Sequence, residues 1–68
     1  MYRVKIISKN FQKDFPTFKD ARNWCVETVY VMHWEFVSGI ANDECAIYFI
    51  HDNSGYFYIR INKLTLTL

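Results

Sequence analysis

The sequence predicts a small α+β domain in which one helix packs on one face of a four- to five-stranded, mainly antiparallel sheet, in the order β-α-β-β-β-β. Two observations lead to this fold class. The chain has 68 residues, 51% hydrophobic and 22% charged, which is the balance of a single folded domain over residues 1–68. Its apolar residues recur at helical spacing once, between residues 17 and 33, and elsewhere form the alternating or continuous runs that are typical of strands.

The first strand is predicted over residues 2–8. Tyr2, Val4 and Ile6 alternate with Arg3 and Lys5, which is the period of two expected of a half-buried strand. The strand can lie parallel beside the second strand or next to the last strand, and the sequence leaves both placements open.

Residues 9–16 are predicted to form a polar connection. Phe11 and Phe15 interrupt its polar sequence and would anchor it to the core. No strand is predicted in this segment.

The helix is predicted to begin at Thr17 and to end near His33, after about four turns. Pro16 cannot donate a backbone hydrogen bond, Thr17 is a favourable N-cap, and Asp20 lies three residues further on, as in a capping box. Apolar residues at steps of three and four mark the face that should be buried. They are Phe18, Ala21, Cys25, Val29 and Met32.

Four further strands are predicted over residues 34–41, 44–51, 56–61 and 64–68, because these runs are rich in β-branched and aromatic residues. A two-residue turn at residues 42–43 would place Phe36 opposite Phe49. A three-residue loop at residues 53–55, with Gly55 in a left-handed conformation, would place Phe49 opposite Ile59.

The last two runs differ in the parity of their apolar positions. These positions are odd-numbered in residues 56–61 and even-numbered in residues 64–68, so one straight strand would change face halfway. A hairpin turn at Asn62-Lys63 removes this conflict, and a β-bulge is the alternative explanation.

This register predicts an unusual composition for the sheet face away from the helix. Solvent-exposed sheet faces are normally polar, whereas this one would be apolar and rich in tyrosine. Its predicted members are Glu35, Val37, Gly39, Ala41, Ala46, Tyr48, Ile50, Tyr56, Tyr58, Arg60, Thr65 and Thr67. Small proteins also expose apolar atoms without any function, which is the simplest alternative explanation.

A tyrosine-rich apolar face favours a protein-interaction function, because Tyr and Arg are enriched at interfaces and a domain this small has a thin core of its own. We therefore expect a non-enzymatic adaptor or inhibitor that binds itself, as a homodimer, or a host protein. The bias towards Ile, Asn, Lys, Phe and Tyr is also often seen in accessory proteins of phages and mobile elements. The candidate interaction residues are Val37, Tyr48, Ile50, Tyr56, Tyr58 and Arg60.

A module that binds single-stranded nucleic acid is the alternative function. The tyrosines could stack on bases while basic side chains contact phosphates. The basic candidates are Arg3, Lys5, Lys9, Lys13 and Arg60. The net charge of +1 argues against a strongly basic, histone-like binder and against an acidic nucleic-acid mimic. The negative charge of Glu35 on the same face would repel phosphate. The sequence also contains no RNP-type string of Gly and aromatic residues.

The motifs of enzymes and metal sites are missing from the sequence. It contains only two glycines, with no phosphate-binding loop and no HExxH, GxSxG or zinc-finger spacing. Cys25 and His33 are eight residues apart on the predicted helix, about 12 Å, which is too far for one metal ion. We therefore expect no catalytic activity, metal, cofactor or small-molecule substrate.

The two cysteines, Cys25 and Cys45, lack CxxC spacing and are predicted to be buried reduced thiols. The first residues contain no continuous apolar segment of a signal peptide, and no run approaches the roughly 18 apolar residues of a membrane span. These features predict a cytoplasmic protein that does not enter a membrane.

Overall fold

The computed structural model describes residues 1–42 and 44–64. Over these residues the chain forms one α-helix, one short 3-10 helix and five strands. The elements are β1 (Tyr2–Ile6), the 3-10 helix (Ile7–Lys9), β2 (Phe11–Phe15), α1 (Phe18–Val31), β3 (Glu35–Ala41), β4 (Cys45–Asp52) and β5 (Gly55–Lys63).

The strands form one sheet in the order β2-β1-β5-β4-β3, and every neighbouring pair is antiparallel. The helix α1 packs on one face of this sheet, so the predicted α+β class with one helix on an antiparallel sheet is confirmed. The buried core comprises Val4, Ile6, Ala21, Cys25, Val29, Ala46, Ile50, Ile59 and Ile61. We call the sheet face away from α1 the open face.

The segment that was predicted to be a polar connection contains a strand. The 3-10 turn ends at Asn10, whose φ of 51° is left-handed, a conformation that Asn tolerates better than most residues. The chain then returns as β2, antiparallel to β1. Phe11 and Phe15 anchor this strand as predicted, because both rings pack against Trp24 of α1.

The first strand lies inside the sheet. β1 pairs with β2 on one side and with β5 on the other, where Val4 faces Ile61. The parallel placement of β1 beside β3 is therefore wrong. β1 also does not close an edge of the sheet next to the last predicted strand, because it lies between β2 and β5.

The start of α1 follows the prediction. The side-chain hydroxyl of Thr17 accepts a hydrogen bond from the backbone N–H of Asp20 at 3.1 Å, which satisfies one of the free donors of the first turn. Asp20 also places a negative charge at the positive end of the helix dipole.

The end of α1 is a Schellman motif that uses histidine in place of glycine. His33 has a φ of 57°, and its N–H donates to the carbonyl of Tyr30 at 3.2 Å. The N–H of Trp34 donates to the carbonyl of Val29 at 3.0 Å. The helix therefore stops at Val31, just before the predicted end.

The β4–β5 hairpin differs from the predicted one by a single residue. The carboxylate of Asp52 accepts hydrogen bonds from the backbone N–H and the hydroxyl of Ser54, at 2.8 and 2.7 Å, and Asp52 pairs with Gly55. The loop consequently has two residues and not three. Phe49 lies opposite Tyr58, so the predicted pairing with Ile59 is wrong.

The β3–β4 connection differs in register from the predicted two-residue turn. The N–H of Asn42 donates to the carbonyl of Cys45 at 2.9 Å, the side-chain oxygen of Asn42 accepts hydrogen bonds from the N–H groups of Glu44 and Cys45, and Ala41 pairs with Ala46. A β-bulge then shifts the register between Phe36 and Ser38, so the predicted Phe36–Phe49 pair does not form.

Strand β5 runs straight through the residues that were predicted to turn. Asn62 pairs with Arg3 and Lys63 with Tyr2, so there is no hairpin at Asn62-Lys63 in the described chain. Of the strand predicted over residues 64–68, only Leu64 belongs to the described residues, and Thr65 and Thr67 lie outside them.

Candidate protein-interaction surface

The one-residue change in the β4–β5 hairpin reverses the two faces of β4. Side chains alternate along a strand, so a shift by one residue exchanges the inward and outward sets. Ala46 and Ile50 are 1% and 0% exposed beneath α1, and Tyr48 lies half-buried on the same side. The prediction that Tyr48 and Ile50 lie on the open face is therefore wrong.

The open face carries a regular array where β3, β4 and β5 run side by side. Three rows cross these strands, and each row contains one residue from each strand. We call this array the open-face grid. Its rows are Ile40-Ile47-Arg60, Ser38-Phe49-Tyr58 and Glu35-His51-Tyr56.

The grid exposes large apolar side chains to solvent. Ile40 is 73% exposed, Phe49 42% and Tyr56 77%. The ring centroids of Phe49 and Tyr58 lie 6.5 Å apart across the strands, and those of His51 and Tyr56 lie 4.6 Å apart. The exposed aromatic and aliphatic side chains thus occupy neighbouring positions of one array, with polar residues among them, and are not scattered singly over the surface.

Three of the candidate interaction residues lie on the grid, and three apolar members of the grid were not among the candidates. Tyr56, Tyr58 and Arg60 belong to β5, whose faces were assigned correctly. The missed residues are Ile40, Ile47 and Phe49. Asp52 is the residue that could have indicated them. An Asp just before two loop residues can accept a hydrogen bond from the loop backbone, which favours a two-residue loop over the predicted three-residue loop.

Val37 lies away from the grid, at the β-bulge, and is 51% exposed. It lines a groove of about 460 Å³ between α1 and β3. In this groove the Tyr48 ring packs edge-on against Phe36, with centroids 5.8 Å apart, and covers Gly39. Partial burial raises the pKa of Tyr48. A β-carbon at position 39 would lie 2.9 Å from the Tyr48 ring, so Gly39 makes room for this contact.

Basic side chains flank the grid on the side of β1. Lys5 lies directly opposite Arg60, so two positive charges are cross-strand neighbours. Arg3, on the same face, donates two hydrogen bonds to Asp14, at 2.8 and 3.1 Å, and this pairing holds the pKa of the Asp14 carboxyl below its ordinary value.

The other two predicted nucleic-acid contacts are directed elsewhere. The ammonium of Lys9 lies 3.1 Å from the Asp52 carboxylate and 4.7 Å from the centre of the Phe57 ring. Lys13 pairs with the buried Val4, which places it on the side of α1. The structure therefore does not bring Lys9 and Lys13 together with Lys5 and Arg60.

The cysteines have different environments. Cys25 is fully buried, and desolvation raises the pKa of its thiol to about 12. Cys45 lies on the open face and is half-buried, which corrects the prediction that both are buried. Both thiols are free.

Within residues 1–42 and 44–64, no group of three or more His, Cys, Asp or Glu side chains is arranged to hold a metal ion. The helix that the structure describes is too short and too polar to cross a membrane.

We found no match to this chain among protein-family models, curated proteins or solved structures.

Proposed function

We propose that this chain is a non-enzymatic protein-interaction domain, acting as an adaptor or inhibitor, that binds another protein chain through the open-face grid. One observation carries the proposal: Ile40, Phe49 and Tyr56 are large, exposed and diagonal neighbours in the register of a sheet face that α1 does not cover.

The energetics of the exposed face support this proposal. Complete burial of a side chain such as Ile or Phe is favourable by about 1.5–3 kcal/mol. The grid residues are only partly buried in the monomer, so a partner that covers them gains part of this free energy. Aromatic residues with a neighbouring arginine are the composition of interface centres, where a few residues provide most of the affinity. Tyr58 and Arg60 give the grid this composition.

Site-specific photocrosslinking tests the proposal directly. A photoreactive phenylalanine analogue replaces Phe49 at the centre of the grid, in cells that produce the protein. A matched control carries the same analogue at Tyr30, which is 82% exposed on the outer side of α1. We expect crosslinks to a polypeptide from position 49 and few or none from position 30.

The crosslinked product also identifies the class of partner. A product at twice the chain mass of 8.2 kDa would be a second copy, and a product of another mass would be a host protein. Equal crosslinking from both positions, or none from position 49, would contradict the proposal.

Binding of single-stranded nucleic acid remains the second candidate function, and the pair of Lys5 and Arg60 favours it. Two adjacent positive charges beside Tyr58 could hold a phosphate while the ring stacks on a base. Against it, Arg3 is already bound to Asp14, and Glu35 places a negative charge on the same grid.

A titration with labelled single-stranded DNA and RNA at about 50 mM salt tests this candidate. If nucleic acid is the ligand, Arg60→Ala should lower the dependence of log affinity on log salt by about one unit. The matched control is Lys19→Ala, on the solvent side of α1, which should leave the slope unchanged. No binding at this salt concentration would eliminate the candidate.

We also propose that the protein acts in the cytoplasm. The two free thiols support this location, because a reducing compartment keeps cysteines unpaired. Targeting of a fluorescent fusion to an oxidising compartment would contradict it.

A further inference from the structure

We infer that the partner of the open-face grid is a second copy of this chain, related to the first by a two-fold axis that lies along one diagonal of the grid and passes through Phe49. This inference rests on the proposed function, and it names the partner of that same surface.

The two diagonals of the grid have opposite character. Along one diagonal lie Tyr56, Phe49 and Ile40, which are exposed and apolar. The other diagonal ends in Arg60 at one corner and in Glu35 at the opposite corner. From the usual spacing of strands and residues, each corner lies about 8 Å from Phe49 at the centre.

A two-fold axis along the apolar diagonal makes the surface complementary to itself. Packing two open faces together about this axis exchanges the sides of the diagonal, so Arg60 of each copy meets Glu35 of the other. The apolar row packs on its own symmetry mate, with Phe49 against Phe49. An isologous interface of this kind requires that one patch complement itself, and two-fold dimers are the commonest oligomers.

The remaining grid positions are compatible with this arrangement. The same exchange brings Tyr58 of one copy to His51 of the other, so a phenol hydroxyl meets an imidazole, which can share a hydrogen bond with it. Ile47 meets Ser38, a small side chain that does not obstruct it. No like charges meet among the grid residues in this arrangement. In the described monomer Arg60 and Glu35 are exposed and form no ion pair, so both remain available to the other copy.

Charge is the reason to prefer a second copy over the other occupants. A nucleic acid would be attracted to Arg60 and Lys5 but repelled by Glu35. A second copy uses both corners, and Lys5 beside Arg60 strengthens the attraction for the incoming Glu35.

The size of the surface indicates a weak dimer. Three strands of about seven residues cover roughly 330 Å² in projection, compared with about 800 Å² per partner in a standard interface. We therefore expect a reversible dimer with a dissociation constant on the order of 100 μM.

Sedimentation equilibrium on charge-reversal variants tests this inference, at protein concentrations from about 10 μM to 1 mM, which span the expected constant. Arg60→Glu and Glu35→Arg should each weaken the dimer by about tenfold or more, because each places like charges together twice. The double variant should recover most of the affinity, since it exchanges the charges and restores both pairs. Thermal unfolding of each variant verifies that it folds, and Arg60→Gln and Glu35→Gln replace any variant that does not.

The outcomes separate this inference from the proposed function. A wild-type dimer, weakened single variants and a recovered double variant support the inference. If the double variant weakens the dimer as much as the two single substitutions together, the two-fold arrangement is wrong. It is also wrong if neither charge reversal changes the dissociation constant of the dimer. A wild-type chain that stays monomeric at 1 mM overturns self-association, while crosslinking of position 49 to a different protein would still support the proposed function.

Discussion

The two outer strands of the described sheet, β2 and β3, are protected to different degrees. β2 has five residues; its two phenylalanines pack against Trp24, and its three middle residues are polar. β3 has seven residues, all of them exposed, and carries Glu35 as its one charged side chain. A short strand with charged side chains resists pairing with another chain, whereas a longer apolar one does not.

The difference between these strands extends to the two halves of the molecule, of which only one leaves much apolar surface exposed to solvent. Around β2 and β1, aromatic residues from the sheet and from α1 contact one another, and Arg3 pairs with Asp14. Around β3 and β4, apolar side chains reach solvent on both sides of the sheet, at the grid and at the groove next to Val37. The β2 half buries its aromatic residues within the monomer, whereas the β3 half leaves apolar side chains exposed and is the half through which we propose that a partner binds.

Removing one aromatic residue from each half should give the largest contrast. Trp24→Ala should destabilise the monomer by about 3 kcal/mol, because Trp24 stacks on Phe11 with centroids 5.0 Å apart. Phe36→Ala should cost about 1 kcal/mol or less, since Phe36 is 42% exposed. Urea denaturation at low protein concentration measures both values. Equal losses would contradict the contrast between the two halves.

The connection between the β1–β2 turn and the β4–β5 hairpin should contribute less. Lys9→Ala removes an ion pair with Asp52 and contacts with the rings of Phe57 and Trp34, at 4.7 and 5.2 Å. We expect a loss of about 1 kcal/mol, because both interactions are partly solvated. Lys19→Ala, on the exposed side of α1, serves as the control and should change the free energy of unfolding little. A variant as stable as the wild type would show that Lys9 only shields the rings.

Replacing His33 should stabilise the protein slightly. His33 has a left-handed φ of 57°, a conformation that glycine adopts without strain. We expect His33→Gly to raise the free energy of unfolding by roughly 0.5–1 kcal/mol. His33→Ala is the matched control and should not stabilise, because alanine shares the steric penalty. Destabilisation by glycine would mean that the imidazole makes a stabilising contact.

Acid should weaken the β4–β5 hairpin in a defined range of pH. Hydrogen bonds from Ser54, with a further contribution from Lys9, lower the pKa of Asp52 to about 2. A carboxylate with a depressed pKa stabilises the fold above its unfolded pKa, near 3.9, and this stabilisation is lost as the pH falls towards 2. The stability of Asp52→Asn should therefore fall less than that of the wild type between pH 4 and pH 2. Parallel curves for the two proteins would contradict this assignment.

The parts of the fold that the sequence predicts correctly are those specified by the spacing of residues within one segment. The helix start at Thr17 and the burial of Ala21, Cys25 and Val29 depend on local spacing and were predicted correctly. Met32, which was predicted on the same buried face, is 53% exposed, just after the end of the helix. The strands β1, β3, β4 and β5 were also predicted, because their runs of apolar residues are local patterns. The β2 strand was missed because its middle residues are polar, a pattern that describes a loop equally well.

The candidate site was only half predictable because strand faces depend on register. The Asp52 side chain shortens one loop by one residue, and that change alone moved Tyr48 and Ile50 inward and Phe49 outward. The residues on β5 were unaffected, since their inward set, Ile59 and Ile61, was assigned correctly from its own alternation.

Hydroxyl-radical footprinting of the wild-type protein at increasing concentration tests the central claim most directly. Tyr56 on the grid and Tyr30 on α1 are 77% and 82% exposed in the monomer, so at low concentration the two tyrosines should be oxidised at similar rates. If the open face binds a second copy, the oxidation rate of Tyr56 falls as the concentration rises through the dissociation constant, while that of Tyr30 stays constant. Oxidation of both tyrosines that is independent of concentration up to about 1 mM would contradict self-association through this face.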